Sequence, residues 1–581
     1  MNQRGSFYRK VVYGAIIAVL LAPLSLLSAP ATLDSEGGAL AKLRAEHRLG
    51  QADLGEIDPA SETIKLATLG LRGLAVQLLW NNANEFKKKE DWTNLTATLE
   101  QLAKLQPNFI TFWKFQSWNL SYNVSVEFDD FTDRYYWVRR GIEFLQQGAR
   151  YNRDNPKLLW ELGWVLGQKI GRSDEKVQYR RLFKADTEYH PEDRPPVQRD
   201  NWLRSKAWYE ESVASVEDRG QSLGKKSPII FYSSPTKSQM NYAEAIGEDG
   251  LFDRSVSAWR LSEEEWLDFG ARPLEHSTGV VLRYNELAEL ETRLEEVNNT
   301  LGSLVNGVRD LVLEDARAAL TPQQLEAFDT PPADRTEEQF TLAYEAQNAL
   351  RVTPQQIAER IAEEAPEKQL EAQRMAAEAN ALKRKVGFIK AYKDTANYDY
   401  WLLRSQFEQS KAAVAARELI FRARQAFDQQ ANPFDAKRFY EEAFDRWADV
   451  LKEFPELKDP DGTTGDDIMY MIYDYNKVLE QLDEEIADDF PLWEIIENFD
   501  TERDFAAEVE ERRRARGEID PRAAAPAETA PPDAEPSDAA ATETTPDSVD
   551  EASEPTGSGG EESASDASEL AEGEPASDPA N

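Results

Sequence analysis

Three histidines, no cysteine and 107 acidic residues set the chemistry open to this 581-residue chain. His47, His190 and His276 are scattered, so a histidine-rich metal site or a Ser-His-Asp triad would need one of them well placed. Without cysteine there is no disulfide framework, thiolate metal site or thiol nucleophile. No glycine-rich phosphate loop follows a strand signal, and neither G-x-S-x-G nor H-E-x-x-H occurs. Residues 459–467, DPDGTTGDD, set Asp459, Asp461, Asp466 and Asp467 in a glycine-rich stretch that could suit calcium. The EF-hand pattern fails there, because the twelfth position is Tyr470 rather than a bidentate Glu, and an acidic turn between helices is the simpler reading. Adjacent acids such as Asp129-Asp130 and Glu264-Glu265 would suit a glycosidase, but such pairs arise by chance in so acidic a chain. No catalytic residue, cofactor site or metal site is therefore expected.

The formal net charge is −40. It argues against nucleic acid, which needs clustered Lys and Arg, and against docking of the body onto anionic lipid. Residues 523–581 hold sixteen acids and no Lys or Arg, so the remainder carries about −24. That tail has almost no bulky apolar side chain and is expected to be disordered over 521–581. Just before it, ERRRAR (511–516) is a short basic run, read as a solvated helix end with transient pairing to the tail as the rival.

At the other end, VVYGAIIAVLLAPLSLLSA (11–29) is uncharged and follows Arg4, Arg9 and Lys10. Nineteen helical residues span roughly 28 Å, close to a bilayer core. Basic residues before the segment and acidic ones after it predict a signal-anchor: residues 1–10 cytoplasmic, the body outside the cytoplasm. The rival is a signal peptide cleaved at Ala29-Pro30-Ala31, which would release a soluble exported protein with a mature end near Thr32. Residues 30–62 read as a tether.

From residue 63 the spacing is helical almost throughout, and the expected fold class is all-α. VQLLWNNANEFKKKEDWTNLTATLEQLAKLQPNF (76–109) is two amphipathic segments split by a polar turn. Ala83 and Phe86 hold the small and aromatic positions of the first; Trp92, Leu95, Leu99 and Leu102 mark the second, which Pro107 closes. A second unit starts at Ile110 with Trp113 and Leu120, is interrupted around VSVEFDDFTD, and closes at Pro156; KLLWELGWVLGQKIG (157–171) opens a third. Helical hairpins recur at 235–270 and at 413–455, where Ala443, Trp447, Val450 and Pro455 fill the second-helix positions. This spacing resembles the tetratricopeptide repeat (TPR), a helix–turn–helix unit of about 34 residues that stacks into a solenoid because no unit buries its own face.

TPR-like units are expected over 63–171 and 396–520, separated by an aromatic-rich region with loops over 172–275 and a coiled-coil arm over 276–395. In 172–275, Asp200 caps one helix, while EYHPEDRPPVQRD and GKKSPIIFYSSPTKS read as loops, with an extended piece at IIFY. In the arm, Leu287, Leu290, Leu294, Val297, Leu301, Leu304, Val308 and Leu311 form one 3–4 seam; Ala372, Met375, Ala379, Leu382, Val386 and Ile389 form another. Thr321-Pro322 and Thr353-Pro354 open short helices between them. An antiparallel hairpin within the chain is expected; a parallel pairing of two chains is the rival.

The resemblance also implies a binding surface, since proteins of this fold hold peptides or partner helices on the face lined by first helices. That frame puts Gln77, Trp80, Asn84 and Lys87 there, followed by Lys114 and Trp118 in the next unit. The remaining tryptophans, Trp92, Trp113 and Trp447 among them, are expected in cores. With the anchor and the Ala/Glu/Pro/Ser/Asp tail, the chain resembles bacterial cell-envelope proteins with degenerate TPR-like repeats. The resulting expectation is a membrane-tethered, non-enzymatic scaffold with protein partners. The alternatives are an exported enzyme or carbohydrate-binding protein with its site in 172–275, or a structural spacer.

Overall fold

A computed structural model describes residues 72–501 except 106, 460–462 and 488, and the isolated positions 12, 16, 19, 38, 39, 42, 505, 507, 508, 511 and 514. Among the described residues there are twenty α-helices and one two-stranded ribbon, so the chain is all-α. No helix among them is long and apolar enough to cross a membrane. The anchor segment 11–29 lies outside the described residues save for Val12, Ile16 and Val19, as do the tether apart from three positions and the tail over 521–581.

Helix α1 (Arg72–Lys88) packs on α2 (Trp92–Leu105), which buries Leu95, Leu99 and Leu102 on one face. Helix α3 (Ile110–Trp118) continues through a π-helical stretch, Asn119–Val124, and packs on α4 (Phe131–Tyr151), which Asp130 caps through the Thr132 N–H at 2.7 Å. Helix α5 (Pro156–Val165) starts with proline at its first turn and runs into a second π-helical stretch, Leu166–Ile170. Its partner is not the next helix, α6 (Lys176–Ala185), but α7 (Asn201–Glu217), so α6 is an insertion within the third hairpin. Asp200 caps α7, accepting from the Trp202 and Leu203 N–H groups.

Helix α8 (Pro228–Glu248) pairs with α9 (Phe252–Ala271) and corrects the reading of PIIFYSSPTKS (228–238) as loop with an extended piece at Ile229–Tyr232. The stretch is helical although Pro235 lies inside it. Burial of Phe231 against Trp160 and Tyr209, with Trp160 Nε1 donating to Ser234 Oγ at 3.0 Å, helps offset the roughly 3 kcal/mol cost of an interior proline.

A short antiparallel ribbon, β1 (Leu274–Glu275) with β2 (Val281–Leu282), leads into the central arm. There α10 (Leu287–Ser303) lies antiparallel to α15 (Gln369–Ala396). Tyr284 Oη donates to the Tyr392 carbonyl at 3.0 Å, Arg293 to Glu378 at 2.8 Å, and Lys368 Nζ to the Leu304 carbonyl at 2.6 Å. Between them lie α11 (Val308–Ala318), α12 (Pro322–Asp329), α13 (Glu337–Ala349) and α14 (Pro354–Glu364). Thr321 and Thr353 form capping boxes with Gln324 and Gln356. One expectation is corrected: the first seam is not one helix. The chain breaks between Leu304 and Gly307, whose φ of +72° is the left-handed conformation glycine adopts freely, and Val308 then packs with Ile357 and Ile361 of α14.

The C-terminal core holds α16 (Tyr398–Phe407), α17 (Lys411–Arg424), α18 (Pro433–Glu453), α19 (Thr463–Gln481) and α20 (Trp493–Phe499). Ala443, Trp447 and Val450 of α18 are fully buried at its centre.

Candidate functional site

Helices α1, α3 and α5 together carry a column of aromatic rings. Trp80 lies 6.3 Å from Phe115, Phe115 6.2 Å from Trp118, Trp118 6.2 Å from Tyr122, and Tyr122 6.1 Å from Trp164, with interplanar angles of 20° to 38°. Phe115 and Trp118 share one side of α3 by their i, i+3 spacing, and Tyr122 follows in the π-helical stretch. Phe115 and Trp118 remain 39% and 38% exposed, which is high for rings of this size in a packed helical body. On the opposite side of α3, Trp113 is fully buried and donates from Nε1 to the Pro107 carbonyl at 2.8 Å.

Of the six residues the repeat frame selected, Trp80 and Trp118 are joined through Phe115 in this column. Gln77 and Asn84 are exposed on α1, three residues before and four after Trp80, and so flank it on the same face. The two lysines are not free charges. Lys87 is half-buried and donates to Asn119 Oδ1 at 3.1 Å; Asn119 also accepts from Asn123 at 3.1 Å. Lys114 pairs with Glu161 at 2.9 Å. These contacts tie α1 to α3 and α3 to α5, holding together the helices that carry the rings. Phe115, Tyr122 and Trp164 were not singled out from the sequence, although the i, i+3 spacing of Phe115 and Trp118 carried the signal for the first.

No acid–base or nucleophilic pair lies in the column. Burial, with Glu161 nearby, raises the Tyr122 hydroxyl well above the usual tyrosine range, so it stays neutral. The Lys169 ammonium, 4.9 Å above the Tyr122 ring, is lowered by burial.

The histidines also stand apart. His47 lies outside the described residues, and His276 stacks on Phe388 at 4.0 Å. His190 is buried, with Nε2 2.8 Å from the Phe183 carbonyl and Nδ1 3.0 Å from Arg194, and burial lowers its pKa to about 4. The unfolded chain therefore takes up this proton first as pH falls below about 6.5, and stability held above that pH is lost progressively towards pH 4. Acidification from pH 7 to 5 is expected to cost the loop around His190 about 2 kcal/mol of protection against amide exchange. His190→Gln should flatten that dependence.

A second constellation lies where α8 and α9 meet α16, α17 and α19. Arg404 is buried, and its Nη2 donates to Glu244 at 2.7 Å and to Asp467 at 3.3 Å. Arg417 donates to Glu408 at 2.6 Å. Of the DPDGTTGDD acids, Asp466 lies in the first turn of α19 and Asp467 follows it in the same helix, while Asp461 lies outside the described residues. Among the described residues no group of three or more His, Cys, Asp and Glu is arranged to hold a metal ion.

Comparison with protein-family models, curated proteins and solved structures returned no match.

Proposed function

We propose that this chain is a membrane-tethered, non-enzymatic scaffold that holds a partner polypeptide in the cell envelope. The half-exposed aromatic column across α1, α3 and α5 carries this reading. In it residues 11–29 are the anchor, the N terminus is cytoplasmic, and the hairpins form TPR-like stacks on either side of a coiled-coil arm. The occupant is an uncharged apolar segment of a partner. The rings offer apolar edges, while Gln77 and Asn84 beside Trp80 offer amide groups to a peptide backbone. A sugar chain is the second reading, since it too would stack on aromatic rings. The enzymatic alternative at 172–275 weakens: Glu244, which faces a cleft there, is tied to Arg404, which favours a fixed carboxylate over a general acid.

A photo-crosslinking amino acid placed at Trp118 in native membranes is expected to yield one discrete protein adduct. The same group at Val177, which is 69% exposed on α6, should yield none. Equal labelling from both positions, or none from Trp118, would remove the partner assignment. Retention on cell-wall polymer that depends on Trp118 would favour the carbohydrate alternative.

A further inference from the structure

In the central arm, α12 and α13 pack mainly on each other. Their buried residues are alanines alone: Ala327 of α12, with Ala343 and Ala346 of α13. Three alanines bury little apolar surface, while larger side chains of the same hairpin stay outside. Phe340 and Tyr344 are 51% and 67% exposed. Their i, i+4 spacing sets both rings on one face of α13. Among the described residues neither ring has an aromatic partner.

The residues flanking the rings are placed symmetrically about Tyr344. Glu337 stands seven residues before it and Arg351 seven after, about 10 Å away at each end. Seven residues are close to two helical turns, so Glu337 shares the face of the rings. Arg351 directly follows Leu350, the C-terminal cap of α13. Phe340 stands four residues before Tyr344, and Asn348 four after. Glu337, Asn348 and Arg351 are exposed, and among the described residues the side chains of Glu337 and Arg351 have no partner.

A face with an acid at one end and a base at the other complements its own copy turned end for end. About a two-fold axis at Tyr344, Glu337 of each copy meets Arg351 of the other, and Phe340 meets Asn348. The two Tyr344 rings meet at the centre, so aromatic contact lies inside and ion pairs at the rim. A parallel pairing would instead set Glu337 against Glu337 and Arg351 against Arg351.

We propose that this face of α13 is a self-association surface, on which a second copy of the chain docks through its own α13, antiparallel and about a two-fold axis at Tyr344. One short helix against another is a small contact, which suits chains held at high local concentration, as the tethered reading supposes. The pairing itself depends neither on that reading nor on what the aromatic column binds.

The chain has no cysteine, so a single introduced thiol reports on its own position. The test uses the full-length chain in detergent. Salt of about 0.15 M screens the repulsion between two chains of net charge −40. Tyr344→Cys is expected to oxidise to a disulfide-linked dimer. Glu338→Cys, exposed on the same helix but about a third of a turn round from Tyr344, should do so at least about tenfold more slowly. Charge reversal then tests the symmetry. Glu337→Arg and Arg351→Glu should each weaken self-association of the thiol-free chain by about tenfold or more in sedimentation, because each sets like charges together twice. An equal mixture of the two variants re-forms both ion pairs and should recover the wild-type affinity. A dimer from Tyr344→Cys no faster than from Glu338→Cys overturns the proposal, and this comparison needs neither charge variant to fold. A mixture that associates no better than either variant alone overturns it as well, and is the result that association through residues 11–29 would give. In native membranes, a disulfide adduct of Tyr344→Cys with a different protein, without the dimer, would assign the face to that protein and overturn self-association.

Discussion

Arg404→Met is expected to lower the local stability of α16 and α19 by about 1–3 kcal/mol, because it leaves the half-exposed Glu244 and Asp467 carboxylates without their shared guanidinium as well as deleting a contact. Burial acts against the Arg404 charge, but Glu244 and then Asp467 outweigh it and raise its pKa further. The guanidinium also lies 5.7 Å over the Trp259 ring, so one side chain ties α8, α9 and α19 to α16. Methionine keeps the length and loses the charge, leaving Glu244 and Asp467 without an ion-pair partner. The pH dependence separates this account from lost packing. Burial raises Glu244, but Arg404 overcomes that and holds its pKa below the usual value; the stability it lends is present above about pH 4.5 and is lost as pH falls through the folded pKa. In the variant the same acids are destabilising while charged. The gap to the wild type should therefore be widest at neutral pH and narrow towards pH 4. A chain of this length does not unfold in one step. The measurement is amide exchange resolved by helix, with α2 and α4 as internal reference. A gap that does not change with pH would assign the loss to packing alone.

What could be read from the sequence was local. Asp200 before α7 and the Thr-Pro-Gln-Gln stretches at Thr321 and Thr353 signal helix starts through chemistry complete within four residues. Leu95, Leu99 and Leu102 follow from the helical period. Where the reading failed, a distant contact or a backbone torsion decided. The count from Leu301 to Leu304 to Val308 keeps its 3–4 spacing across Gly307, so periodicity cannot register that the helix has ended. Pro235 reads as a breaker, yet α8 runs through it because Phe231 is buried by residues from α5 and α7. At the column, Trp80 and Trp118 could be found by position in a repeat, but the π-helical stretch after Trp118 lies outside that frame, and Tyr122 falls within it. Lys87 and Lys114 looked like groove charges because their partners, Asn119 and Glu161, belong to other helices. The Arg404 cluster was wholly illegible, since its acids are drawn from positions as far apart as Glu244 and Asp467.

Trp113→Ala is expected to cost about 3–5 kcal/mol in the α3–α4 hairpin, the range for deleting a fully buried indole. The ring lies 4.7 Å from Phe144 and 5.9 Å from Tyr151, and its N–H satisfies the Pro107 carbonyl. It also rests on Gly148, where an added Cβ would come within 2.6 Å of the indole. Gly148→Ala alone should therefore destabilise by about 1–3 kcal/mol through overpacking, although alanine is the better helix former. With Trp113→Ala the clash disappears and the propensity gain remains, so the second substitution should become neutral or stabilising. A coupling energy of at least about 1 kcal/mol, read from the double-mutant cycle by exchange in α3 and α4, tests this; additive costs would show that Gly148 is not there for the indole. The consequence reaches the outer face. Trp113 and Phe115 lie on opposite sides of α3, so the buried indole fixes the rotation that presents Phe115 and Trp118 outward. Trp113→Ala should then abolish the crosslink from Trp118 even in protein whose remaining helices stay protected. Trp447→Ala, equally buried in the C-terminal core, should leave that crosslink intact.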